Sequence, residues 1–226
     1  TLHEDLHEKQ TEYRKESELA VNYKEAKLTE MQSVVDNNIV KLTEQVTSTM
    51  AHLDDPQYIE IDQFDHADRM VEDLNILGSK LEQADATAGQ YSTYQKLFGV
   101  PCFEYTELEV GKESLAATRK FWETVRDWNT KYKFWMESDF IELPCEDIDK
   151  EVQVFFKDAY TMHKSLNNHV SEMLRDKISE FKMIMPSVLD LGNPNMKTRH
   201  FKKVFHALDL SYSEDTVFNL QQLLEA

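Results

Sequence analysis

Apolar side chains recur by threes and fours at Leu28, Met31, Val35, Ile39, Leu42, Val46, Met50 and Leu53, which puts them on one stripe of a helix. Residues 19–53 contain no Gly or Pro, and the a/d-like spacing suits a coiled coil or a long bundle helix. Carried back to the first residue, such a helix would be about 80 Å long. Asp54-Asp55-Pro56 ends it, because Pro56 lacks a backbone donor and biases Asp55 away from helical dihedrals. A second stripe runs through Phe64, Ala67, Val71, Leu74, Leu77, Leu81, Ala84, Ala88 and Tyr91. It closes near Leu97-Phe98-Gly99, where Gly99 serves as a C-terminal cap. Leu115, Trp122, Val125, Trp128, Tyr132 and Trp135 mark a third helix. Its tryptophans lie nearly on one side, which reads as a packed core or interface face.

The pattern breaks at residues 141–144, and Glu146-Asp147 opens another helix with acids in its first turn. From Val152 to Phe181 the apolar positions continue, and Pro186 is expected to end the run, with Asn167-Asn168 as a kink or division. Asn193-Pro194 reads as an N-cap followed by Pro at the first helical position, predicting a helix over 194–208. Residues 217–224 begin one more apolar element. No period-two alternation suggests a strand. The fold class is all-α: an elongated array of five to seven long helices and helical bundles, without a sheet.

Composition agrees with this. Five glycines and five prolines in 226 residues leave little turn-forming material for a sheet protein. Hydrophobic residues at 41% and charged residues at 30% indicate a globular chain. No apolar run approaches the ~20 residues that cross a bilayer, and residues 1–10 are too polar for a signal peptide. Those residues also lack an initiator Met and already follow a helical pattern, so the chain is expected to be a piece of something longer. A net charge of −17 disfavours nucleic acid as a partner. The charge is uneven, however: residues 182–206 hold Lys182, Lys197, Arg199, Lys202 and Lys203 against Asp190 alone. Cys102 and Cys145 have no metal or redox spacing and suit a reducing, cytosolic setting.

The chemical motifs fail on inspection. His3-Glu4-Asp5-Leu6-His7 matches HExxH, which binds zinc only with a third ligand and a sheltered cleft. Glu4 and His7 also fit a di-iron Glu-x-x-His, but none of the other histidines has Glu three residues earlier. Gly111-Lys112 ends like a phosphate-binding loop, yet Glu113 and Thr106 stand where Ser/Thr and Gly are required. Catalytic, cofactor-binding and metal residues are all expected to be none.

One stretch is specific. Residues 181–208, FKMIMPSVLDLGNPNMKTRHFKKVFHAL, contain an apolar-Pro turn followed by Asp190, Leu191, Asn193, Pro194, Met196, Lys197, Arg199 and His200. This resembles the linker signature of dynein heavy chains, in which Arg-His is usually followed by Trp where this chain has Phe201. The Trp-rich helix upstream, Tyr94-Gln95-Lys96-Leu97-Phe98-Gly99 before it, and residues 217–224 after it resemble the neighbouring segments, in details closer to axonemal than cytoplasmic chains. The resemblance implies a division into a tail/neck helical bundle at 1–104 and the N-terminal part of the linker at 105–226. It further implies a non-catalytic mechanical element of a microtubule motor, which transmits nucleotide-driven bending of an AAA+ ring to the tail. ATP and Mg would bind elsewhere in the parent ATPase. Partners would be the chain's own AAA+ ring and other dynein heavy, intermediate or light chains, with microtubules reached only through distant parts and no membrane. The location would be cytoplasm and cytoskeleton, in a cilium or flagellum axoneme. Within this reading Asn193, Pro194, Arg199, His200 and Phe201 form a structural signature, Arg199 and His200 tying neighbouring helices together, and Trp122, Trp128 and Trp135 are packing anchors. The alternative is a spectrin-like or coiled-coil scaffold without a motor.

Overall fold

The computed structural model describes residues 2–209, 212–213 and 217–225, with side chains from Asp5 onward. Seven α-helices occur among the described residues: α1 Leu2–Leu53, α2 Ala67–Phe98, α3 Thr106–Glu137, α4 Cys145–Leu166, α5 His169–Leu191, α6 Thr198–Ala207 and α7 Leu220–Glu225. Short 3-10 segments at Pro56–Tyr58, Ile61–His66 and Phe140–Glu142 fill the gaps. The described residues contain no strand, only an isolated antiparallel bridge between Asp139 and Asn219. The chain is all-α.

Two compact units divide it. One holds Thr1–Asp54 and Ile76–Leu115, the other Asp55–Asn75 and Ala116–Ala226. In the first, α1 buries Val35, Ile39, Leu42, Val46 and Leu53. A groove between α1 and α2 is lined by Asn38, Leu42, Val46 and Thr49 on one side and Lys80, Ala84, Thr87 and Tyr91 on the other. The expected stripe therefore becomes core only where α2 lies alongside. Leu28 and Met31 are 37% and 57% exposed, and every described side chain from Asp5 to Met31 is exposed. Gly99 ends α2 at φ +70°, with its N–H on the Lys96 carbonyl and that of Val100 on Gln95, the paired bonds of a Schellman cap. The buried Gln95 side chain holds the following segment by accepting from the Phe103 N–H at 2.9 Å.

In the second unit α4 and α5 pack on each other. Asn167-Asn168 divides them rather than kinking one helix. Asn167 takes φ +46° with its N–H on the His163 carbonyl, and Asn168 accepts from the Ser171 N–H at 2.9 Å. The first residue tolerates the left-handed region and the second is a favoured N-cap. Pro186 does not end α5, which runs on to Leu191. It sits on the exposed face, where a helix tolerates the lost donor at a cost near 3 kcal/mol, while Met185 and Val188 remain buried on the other side.

Two glycines make opposite predictions. A Cβ on Gly192 would strike Cys145 Sγ, lie 2.9 Å from Cys145 Cβ and 3.2 Å from the Val188 carbonyl. Gly192→Ala should cost about 1–3 kcal/mol in a urea melt, as overpacking does. On Gly111 the clash is with the tip of Met50, which can swing away, and a mid-helix Gly gains up to ~1 kcal/mol on becoming Ala. Gly111→Ala should be neutral or stabilising. Equal losses at both sites would show that contact with Cys145 does not decide the matter.

Candidate functional site

The long apolar periodicity of α3 turns Trp122, Trp128 and Trp135 inward, at 0%, 2% and 4% exposure. Trp128 is central. Its ring centroid lies 5.7 Å from Tyr132, 6.0 Å from Trp135, 5.5 Å from Phe155 on α4 and 5.8 Å from Phe181 on α5. Phe181 closes the set, stacked on Trp135 at 5.6 Å and edge-on to Tyr132 at 5.5 Å. Three helices thus meet through rings. Beside them, Asn129 Nδ2 donates to the Phe64 carbonyl at 2.9 Å, and Lys177 Nζ sits 5.3 Å over the Phe64 ring. A groove of about 600 Å³ lies here, with Phe64, Trp128, Tyr132, Lys177, Phe181 and Leu224 on its walls. Trp122 is packed edge-on against Phe121, and its buried indole N–H has no acceptor among the described residues. Such an orphan donor costs about 1–3 kcal/mol.

The signature residues occupy the turn after α5 and the start of α6. Asn193-Pro194 does not start the helix. Asn193 Oδ1 accepts from the Asn195 N–H at 2.9 Å, and the Asn193 carbonyl accepts from Met196 at 2.8 Å. This is an Asx turn inside a β-turn with Pro194 in second place, and α6 begins at Thr198. Asn followed by Pro suits both arrangements, because each needs a side-chain acceptor and a φ near −65°. Asn193→Ala should therefore cost well under the ~1 kcal/mol of a lost helix cap. Equal thermal melts for wild type and variant agree with an exposed turn, whereas a loss of a full cap would restore the helix-start reading.

Among the described residues, Arg199 and His200 bond locally rather than between helices. The Lys197 N–H points at His200 Nδ1, 3.1 Å away, and Arg199 Nε lies 3.2 Å from His200 Nε2. A neutral imidazole offers one acceptor nitrogen, so the ring can accept only one of these two bonds at a time. Phe201, by contrast, belongs to a second aromatic cluster. It lies 5.6 Å from both Tyr212 and Phe218, and Phe205 approaches the same two rings at 5.0 and 4.9 Å. Phe218 also stacks on Phe140 at 5.6 Å, where the Phe140 N–H donates to the Phe218 carbonyl at 2.8 Å. The sequence reading missed Phe140, Phe205 and Phe218 as a group. Their only signal was spacing of aromatic residues on either side of a loop.

The rejected motifs fare as follows. The side chains of His3 and Glu4 lie outside the described residues, and His7 is exposed. Among the described residues no cluster of three metal-ligating side chains forms, and no helix is long and apolar enough to cross a membrane. Gly111 is packed in mid-helix, and Lys112 pairs with Asp85 at 3.2 Å and Glu109 at 3.3 Å. Cys102 and Cys145 are both free thiols, and burial pushes the Cys145 thiol up.

Residues 108–226 match the family model described as "Dynein heavy chain, N-terminal region 2". The chain is 28% identical over 174 residues to "Dynein axonemal heavy chain 6" of Homo sapiens, covering 76% of this chain and 4% of the relative. It is 28% identical over 123 residues to human "Dynein axonemal heavy chain 2", covering 53% of this chain and 3% of that one. Over 124 residues it is 23% identical to "Dynein-1-beta heavy chain, flagellar inner arm I1 complex" of Chlamydomonas reinhardtii, covering 54% and 3%. It thus spans only a few per cent of the length of these relatives.

Proposed function

This chain belongs to the dynein heavy chain family, and on that premise we propose that it is the tail-to-linker junction of a ciliary or flagellar microtubule motor. Residues 105–226 form the N-terminal part of the linker and residues 1–104 the adjoining tail. The observation carrying this is that the family match over 108–226 falls on helices joined by two aromatic clusters. A lever must resist bending, and close-packed rings supply that resistance. The junction is non-catalytic: it takes strain from nucleotide turnover in the AAA+ ring and passes it to the tail, which meets other dynein chains. ATP, Mg and microtubules are bound by other parts of the heavy chain. A scaffold without a motor is the weaker alternative, because the family match reaches the end of the linker-like segment.

Softening the lever tests this. A flexible insert of roughly ten Gly and Ser residues between Asn195 and Met196 behaves as a random coil. In the intact heavy chain, ATP turnover should persist while microtubule gliding falls several-fold. Unchanged gliding, or loss of basal turnover together with gliding, would remove the lever from this segment.

A further inference from the structure

We propose that the exposed face of α6 docks an acidic helical segment of a protein partner. This is separate from the lever reading and rests on the geometry of α6 alone. Arg199, Lys202, Lys203 and His206 stand at i, i+3, i+4 and i+7, which is one face of a helix. All four are exposed, whereas Phe201 and Phe205 on the opposite side are buried. The aromatic cluster behind them fixes the helix and presents the basic row outward. From Lys197 to Ala207 there is no acid, in a chain whose net charge is −17.

Some cations elsewhere in the same unit are paired. Arg126, Lys131, Lys150 and Arg175 pair with Asp127, Glu151, Asp147 and Asp176 at 2.6–3.1 Å. Among the described residues none of Lys197, Arg199, Lys202 or Lys203 makes an ion pair, and Arg199 is directed at His200 instead. Like charges at i, i+3 and i, i+4 repel, so the row is destabilising by itself and relieved by a partner of opposite charge. The ten residues of α6 span only about 15 Å. That length fits two to three turns of a helix carrying carboxylates at the same spacing. A nucleic-acid duplex would run past this short row on a chain of net charge −17, and a bilayer would need apolar side chains that here point inward.

The test uses the 226-residue chain and a fluorescein-labelled Ala/Gln peptide with Glu at i, i+3, i+4 and i+7, read by fluorescence anisotropy. Binding should be saturable and weaken between roughly 50 and 200 mM NaCl, as screening requires. Lys202→Glu/Lys203→Glu should weaken it about tenfold or more. Lys157→Glu/Lys164→Glu, the same charge change on exposed positions of α4, should change it less than about twofold. A peptide of equal charge with the spacing scrambled should bind several-fold more weakly. Circular dichroism melts confirm the fold, and Lys202→Gln/Lys203→Gln replaces the reversal variant if that one unfolds. Equal losses in both charge-reversal pairs, no binding by wild type, or tighter binding to roughly 20 base pairs of duplex DNA or to phosphatidylserine vesicles would each overturn the proposal.

Discussion

Trp128→Ala is expected to destabilise the second unit by about 3–5 kcal/mol, the range for truncating a buried aromatic ring to Ala. Two contributions add. The side chain is 2% exposed, so its transfer energy is lost and a cavity remains. It also makes four ring contacts, with Tyr132, Trp135, Phe155 and Phe181, which favour the upper part of that range. The melting temperature should fall by on the order of 10 °C for a chain of this size. Trp128→Phe should recover part of the loss by keeping a ring in the site. A urea midpoint shift worth under ~1 kcal/mol would mean that the adjoining groove collapses to fill the space, and that Trp128 is not an anchor. In the intact motor, the lever proposal requires slower gliding with ATP turnover retained.

The helices were legible because they are long and little interrupted. Val35, Ile39, Leu42 and Val46 are buried as their spacing required, and Gly99 caps α2 at the expected residue. What failed was local and had a local cause. Pro186 is on an exposed face, so tertiary packing of Met185 and Val188 outweighed a helix breaker. Asn193-Pro194 was ambiguous, since a β-turn and a helix start share the same preferences. Leu28 and Met31 continue the apolar stripe but meet no described neighbour that buries them. Periodicity shows which face of a helix is apolar, not how far its partner extends.

Long-range association was the least legible feature. Residues 55–75 join the unit that contains residues 116–226, bringing Phe64 under Lys177. Nothing in the local pattern ties position 64 to position 177. The same holds for Gly192, whose space for a side chain is taken by Cys145, 47 positions earlier in the chain. The linker-like signature was visible as a string of residues, yet its buried, ring-packed member is Phe201 rather than the exposed Asn-Pro turn or the locally bonded Arg-His pair.

The second cluster leads to the other large effect. Phe218→Ala should cost about 3 kcal/mol, at the lower edge of the range for buried aromatic rings. Phe218 is 3% exposed and contacts Phe140, Phe201, Phe205 and Tyr212. Its carbonyl would still accept from the Phe140 N–H, and the short α7 after it can shift to fill part of the space, which is why the lower edge applies. Removing the ring leaves α6 and the Phe140–Glu142 segment without their common neighbour. Limited proteolysis should therefore speed up after α6 before the rest of the unit is cut. Double-mutant cycles separate the clusters. Phe140→Ala with Phe218→Ala should couple by about 0.5–1.5 kcal/mol, because the rings stack directly. Trp128→Ala with Phe218→Ala should add to within ~0.5 kcal/mol, since the two rings share no aromatic partner. Strong coupling in the second cycle would mean one continuous aromatic core, and proteolysis confined to no particular segment would point the same way.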